Sequence, residues 1–204
     1  MNKAIVILFG SIFILILVFT FSGSSKIITN YPSLNTTVVA FGDSLVEGVG
    51  STAGNDFVSE LSRQINTPIV NLGNRGDSTR DALTRLDVVL KKKPKVVLLL
   101  LGGNDYLQKI PPEETFSNLG KIIESIHETG SIVILLGVRG GLLKDNFENN
   151  FESLADKYGT AYVPDVLDGL FGHADLMSDS VHPNDKGYKI IADKIYPVLK
   201  GVVD

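Results

Sequence analysis

The 204-residue sequence contains no cysteine. That absence excludes disulfides, so a domain exported to an oxidising compartment has only its core to hold it, and it excludes attachment through a lipid-modified cysteine. Histidine is scarce: His127, His173 and His182 are the three in the chain. None stands in an H-E-x-x-H spacing, and a set of His173, Asp175, Asp179 and His182 follows no familiar ligand pattern, so no metal is expected. Positive charge is also short. From residue 27 onward 17 Lys and Arg face 23 Asp and Glu, which argues against nucleic acid or another polyanion as partner. The one basic run, Lys91-Lys92-Lys93-Pro94-Lys95, falls at a helix end, where lysine complements the helix dipole, and reads as solvated surface. Two nucleotide and hydrolase signatures are missing as well. No G-x-x-x-x-G-K-[ST] loop occurs, and Gly42-Asp43-Ser44-Leu45-Val46 lacks the second glycine of a G-x-S-x-G elbow.

What is present begins with an apolar run of 18 residues, Ala4 to Phe21, behind Lys3. It is longer than the usual core of a signal peptide, about 7–15 residues, and reaches the lower limit of a membrane span. Residues 1–25 are therefore expected to be a signal peptide or a membrane anchor, and the rest of the chain to be exported. A polar linker is expected over residues 26–36, followed by one domain over residues 37–204, since this length suits one sizeable core. Nothing in the sequence sets the oligomeric state.

Within the domain, short apolar runs alternate with stretches of helical period. The runs are TTVVAF, TPIVNL, KVVLLLLG, SIVILLG and TAYVP; the helical stretches are Asp56 to Asn66, Ser78 to Lys91, Glu113 to Thr129 and Asn146 to Tyr158, with a last helix from about Asp185. Alternation of this kind specifies βαβ units. Runs apolar on both faces, such as Val96 to Leu101, indicate a parallel sheet covered on both sides, so the expected fold class is α/β, a doubly wound three-layer α/β/α sandwich with about five strands. His127 falls inside a helical stretch beside Glu124 and Glu128 and is expected to be solvated.

Ligands of such sheets bind at the carboxyl ends of the strands. Those ends carry Gly42-Asp43-Ser44, Asn71-Leu72-Gly73-Asn74-Arg75-Gly76-Asp77 and Gly102-Gly103-Asn104-Asp105, and the last helix is preceded by Asp179-Ser180-Val181-His182-Pro183-Asn184. Ser44 alone has two readings, a nucleophile or the N-cap of the next helix. The combination is more informative, because a serine becomes nucleophilic when a histidine takes its proton, an acid orients that histidine, and donors await the oxyanion. Asp179 and His182, three residues apart, fit one loop. The N–H groups of Ser44 and Gly76 and the side-chain amide of Asn104 are suitable oxyanion donors, with Gly73 as an alternative to Gly76.

Four blocks, FGDSLVEG with Ser44, NLGNRGDST with Gly76, GGND with Asn104 and DSVHPN with Asp179 and His182, occur in order and together resemble an SGNH hydrolase of the GDSL esterase/lipase family. The second block is the loosest match. The resemblance implies a flavodoxin-like SGNH hydrolase fold with a five-stranded parallel sheet, hydrolysis of carboxylic esters through an acyl-enzyme, and no cofactor. It assigns Ser44, Asp179 and His182 to catalysis and Ser44, Gly76 and Asn104 to the oxyanion hole. Within the family the chain is most similar in general style to the single-domain bacterial thioesterase, lysophospholipase and arylesterase type, which implies a small-molecule or lipid ester as substrate. A deacetylase of cell-wall or capsular sugars is the rival, and a membrane-tethered binding module without turnover a further one. Tyr106 to Pro112 and Val138 to Phe147, with Leu142, Leu143 and Phe147, are either walls of a groove for a fatty chain or packing beneath loops.

Overall fold

The computed structural model describes residues 27–139 and 146–204. Leu142 and Leu143, and the N-terminal apolar run, lie outside the described residues. In chain order the elements are β1 (Val38–Gly42), α1 (Ser44–Glu47), α2 (Phe57–Gln64), β2 (Ile69–Gly73), α3 (Thr79–Thr84), α4 (Asp87–Leu90), β3 (Val96–Leu100), α5 (Gly103–Leu107), α6 (Pro112–Glu128), β4 (Ile132–Leu136), α7 (Asn146–Tyr158), β5 (Ala161–Val163) and α8 (Asp185–Val203).

The five strands are all parallel, in the order β2-β1-β3-β4-β5. Val38 pairs with Ile69 on one side and Val96 on the other, and Val96 in turn with Ile132. Helices α2 and α8 pack together, while α6 packs against α3, α4 and α7, giving the three layers of a doubly wound fold. Residues Val96 to Leu100 are completely buried, which explains why this run is apolar on both faces. At about 1.5–3 kcal/mol per buried aliphatic side chain, that one strand contributes on the order of 10 kcal/mol to the hydrophobic term. The chain reverses its direction of winding between β1 and β3, and the crevice of such a sheet opens there, at the carboxyl ends.

Two segments depart from the sequence reading. The helix expected from Ser78 to Lys91 is two helices, α3 and α4, because Arg85 leaves helical geometry (φ −118°, ψ 13°). Its guanidinium turns beneath the sheet's carboxyl edge, donating to the carbonyls of Gly42 (2.8 Å) and Leu72 (2.9 Å), pairing with Asp77 and lying 4.5 Å over the Phe41 ring. Residues 27–36, expected to form a linker, are instead tied to the amino end of the sheet. Asn30 Nδ2 donates to the carbonyls of His127 (2.8 Å) and Ser131 (2.9 Å), and Asn35 Nδ2 to those of Pro94 (3.1 Å) and Thr129 (3.2 Å). His127 is correspondingly half-buried rather than solvated, and burial lowers its pKa below the usual imidazole range. Among the described residues no helix is long and apolar enough to cross a membrane.

Candidate active site

Ser44 is the first residue of α1, directly beyond β1. The cap of that helix is Asp43, whose Oδ1 accepts the Leu45 N–H at 2.9 Å. Ser44 is therefore relieved of capping, and its hydroxyl is directed elsewhere: Oγ lies 3.0 Å from His182 Nε2. His182 Nδ1 lies 2.8 Å from Asp179 Oδ2. The other oxygen of Asp179 accepts the backbone N–H groups of Val181 (2.8 Å) and His182 (2.7 Å). These contacts, the imidazole first among them, hold the Asp179 carboxyl down at about 2. It is ionised across the working pH range and fixes the histidine tautomer whose Nε2 can accept the serine proton.

The loop bearing His182 is held by bonds within itself and by ties to a distant part of the chain. Ser178 N–H donates to the His182 carbonyl (2.8 Å), Asn184 N–H to that of Leu176 (2.9 Å), and Asn184 Oδ1 caps α8. From α8, the buried Tyr188 hydroxyl donates to the Val49 carbonyl (2.8 Å), and Asp185 accepts the N–H and hydroxyl of Thr52, each at 2.7 Å. The chain after α1 and the chain before α8 are thus fastened together, 138 residues apart in sequence at the Ser44–His182 contact. Gly50 is where they touch: a Cβ there would stand 2.5 Å from the Pro183 carbonyl oxygen and 3.2 Å from His182 Cβ, and its φ of +97° is one that residues with side chains avoid.

Gly76 and Asn104 border the same groove as Ser44. Gly76 has φ +86° with open space around it, so glycine is required there by the backbone and not by crowding. Ser44 N–H, in the first turn of α1, has no intrahelical acceptor. Gly73, the alternative donor, directs its N–H to Asn71 Oδ1 at 2.8 Å and does not border the groove. Asn104 Nδ2 donates to the Asp77 carbonyl at 2.9 Å and, at a longer 3.3 Å, to Asp43 Oδ2. The hydrogen shared loosely with Asp43 is the one of the two that a stronger acceptor in the groove can draw away. Below Asn104, the fully buried Asp105 accepts the Thr79 N–H (2.9 Å) and hydroxyls of Thr79 (2.5 Å) and Thr115 (3.2 Å), which anchors α5 to α3 and α6.

Asp43 is not among the site residues that the sequence motifs single out, yet it links the serine turn to Asn104. It is 3% exposed. Burial pushes its carboxyl up to about 7, against the lowering effect of the Leu45 N–H and of His182. Arg85 escapes sequence reasoning in the same way; its only signal is an arginine in a stretch of helical period.

The groove is a cavity of about 330 Å³. Beside the polar groups, Leu45, Leu107, Val138, Leu167, Phe171 and Val181 form its walls. Of the two segments read as either groove walls or packing beneath loops, Tyr106, Leu107, Val138 and Arg139 border it. Phe147 does not: it is buried among Tyr106, Phe116 and Phe151, with ring centroids 5.1–5.8 Å away. Leu167 and Phe171 come from the irregular chain after β5, where no period in the sequence marks them.

Residues 40–190 match the family model described as GDSL-like Lipase/Acylhydrolase family. The chain is similar to Esterase TesA of Pseudomonas aeruginosa, 28% identical over 80% of this chain and 88% of that protein. It is equally similar to Thioesterase 1/protease 1/lysophospholipase L1 of Escherichia coli (strain K12), 28% identical over 82% of this chain and 85% of that one. A crystal structure of TesA superposes with a TM-score of 0.75 at 27% identity, covering 82% of this chain and 99% of that chain.

Proposed function

This chain belongs to the GDSL-like lipase/acylhydrolase family and is a serine ester hydrolase, and on that premise we propose that Ser44, His182 and Asp179 carry its catalysis on single-chain acyl esters, lysophospholipids and acyl thioesters among them. The observation that carries the reading is the relay Ser44 Oγ, His182 Nε2 and Nδ1, Asp179 Oδ2, with links of 3.0 and 2.8 Å, opening on an apolar groove. His182 takes the Ser44 proton as Oγ attacks the ester carbonyl carbon. The carbonyl oxygen becomes an oxyanion that accepts from Ser44 N–H, Gly76 N–H and Asn104 Nδ2, the last turning from Asp43. His182 then protonates the departing alcohol or thiol, leaving the acyl group on Ser44. Water, deprotonated by His182, attacks the acyl carbon and releases the acid and free Ser44.

The names of the two bacterial relatives, an esterase and a thioesterase/lysophospholipase, and the aliphatic walls of the groove favour acyl chains of some length over acetyl. Rates on p-nitrophenyl esters from acetyl to palmitoyl test this. An optimum beyond butyryl is expected; a sharp preference for acetyl overturns it and supports action on acetylated sugars. Labelling of Ser44 by a fluorophosphonate separates an enzyme from a module that only binds.

Export is part of the proposal. The apolar run from Ala4 to Phe21 supports a signal peptide or a membrane anchor, and with either a site of action outside the cytoplasm. The N-terminal sequence of the protein recovered from membrane and medium distinguishes the two, and recovery of the whole chain from the cytosol overturns both.

A further inference from the structure

The groove is bordered by two arginines whose situations differ. Arg139 is neutralised: Nε lies 2.5 Å from Asp165 Oδ2 and Nη2 lies 2.6 Å from Asp168 Oδ1. Arg75 is exposed, and its guanidinium has no hydrogen bond or ion pair to any described residue. The carboxylate nearest to it in hydrogen-bonding terms, Glu47, is engaged with the Arg75 backbone N–H at 2.6 Å. The other acids at the site are occupied too. Asp43 is buried against Leu45 N–H and Asn104, and Asp179 is bound to His182. The groove therefore presents, among the described residues, one guanidinium outside any hydrogen bond or ion pair, adjacent in sequence to Gly76.

We propose that Arg75 is a specificity-determining residue that selects esters carrying an anionic group, a phosphate or a carboxylate, within reach of the scissile bond. The inference rests on the esterase reading and deepens it. An aliphatic groove accepts the hydrocarbon part of an ester without regard to charge. A guanidinium beside it offers two parallel N–H donors to an anionic oxygen pair, a geometry that phosphate and carboxylate share. Because Arg75 is exposed, its attraction is screened by salt.

The test uses the full chain and soluble esters, each pair matched in acyl length: monobutyrin as the neutral ester, 1-butyryl-glycerol 3-phosphate with the anion on the alcohol half, and the p-nitrophenyl hemiester of adipate against p-nitrophenyl hexanoate with the anion on the acyl half. The wild type is expected to prefer one anionic ester over its neutral counterpart by about three- to fivefold in kcat/KM, the scale of one exposed ion pair, mainly through KM. The arm that shows the preference identifies which half of the substrate faces Arg75. Arg75→Gln should bring that ratio close to one, Arg75→Glu should invert it, Arg75→Lys should retain part of it, and 0.5 M salt should weaken it in the wild type. A ratio unchanged in Arg75→Gln, or no preference in the wild type for either anionic ester, overturns the proposal while leaving the esterase reading intact. Failure of the wild type to hydrolyse any of the four esters overturns the esterase reading instead.

Discussion

Replacing Asp43 with asparagine should make the protein more stable and less active, and the gain should depend on pH. The carboxyl stands at about 7 in the folded state against an ordinary 3.8, chiefly because it is buried. The folded protein therefore binds this proton more tightly than the unfolded chain between those values. The stabilisation that the protonated acid confers is complete below pH 3.8 and is lost as pH rises to about 7. At about 1.4 kcal/mol for each tenfold change, the ionised carboxylate costs about 4 kcal/mol at pH 8 and between about 1 and 2 kcal/mol at pH 5. Asparagine removes that cost but gives up one acceptor: if its oxygen keeps the Leu45 N–H, its amide faces Asn104 Nδ2, donor against donor. The lost hydrogen bond offsets about 1–2 kcal/mol. The net expectation is a gain of roughly 2–3 kcal/mol at pH 8 and almost none at pH 5. For a domain of this size the first corresponds to a Tm higher by roughly 5–10 °C. Meanwhile Asn104 keeps its 2.9 Å bond to the Asp77 carbonyl but meets a donor where Asp43 accepted at 3.3 Å, and kcat on p-nitrophenyl butyrate should fall by about 10- to 100-fold, since one misaligned oxyanion donor accounts for up to roughly 1,000-fold. Calorimetry at the two pH values and steady-state kinetics at pH 8 decide the matter. An equal Tm change at both pH values, or an unaltered kcat, would refute the reasoning that a buried charge is retained here to hold Asn104.

Other perturbations test the remaining links. Ser44→Ala and His182→Ala should each remove nearly all turnover in a folded protein, and the double variant should be little worse than either, because residues acting as one unit are not additive; losses that multiply would break the relay. Since Asp43 and not Ser44 caps α1, Ser44→Ala should leave the Tm within a degree or two, whereas loss of a cap would lower stability by about 1 kcal/mol. Asn104→Ala should lower kcat by about 100- to 1,000-fold with little change in KM, and an effect confined to KM would place the amide on the substrate's ground state. Gly50→Ala puts a methyl 2.5 Å from the Pro183 carbonyl oxygen, and should reduce kcat by displacing His182 from Ser44 while the fold persists; full activity would show that the loop tolerates the shift.

Legibility in the sequence depends on the range over which each feature is encoded. Strands β1, β3 and β4 are legible because burial on both faces demands an unbroken apolar run, as in Val96 to Leu100. The break at Arg85 is not, since α3 and α4 continue one apolar period and the reason for the break is a set of carbonyls on β1 and β2. The chain over 27–36 reads as a linker because it is polar and lacks period. Its asparagines and serine reach carbonyls about 100 residues away, and no local pattern records such partners. Phe147 suits a groove wall by its position in the chain, but three neighbouring rings take it into the core.

The sequence by itself determined the chemistry available: a serine, a histidine with an aspartate three residues before it, and an asparagine, in loops that follow apolar runs or precede the last helix, in a chain without cysteine and with a surplus of acid. Residue types and short spacings are local properties, and they survive without coordinates. Tertiary structure decided everything that depends on which distant groups meet. It brought Ser44 within 3.0 Å of His182 across 138 residues, assigned the cap to Asp43, and buried that carboxyl against Asn104. It also paired Arg139 with two aspartates while leaving the Arg75 guanidinium without a partner among the described residues. Charge, acidity and hydrogen bonding are set by neighbours at a few ångströms, and in a doubly wound sheet those neighbours are supplied by loops far apart along the chain.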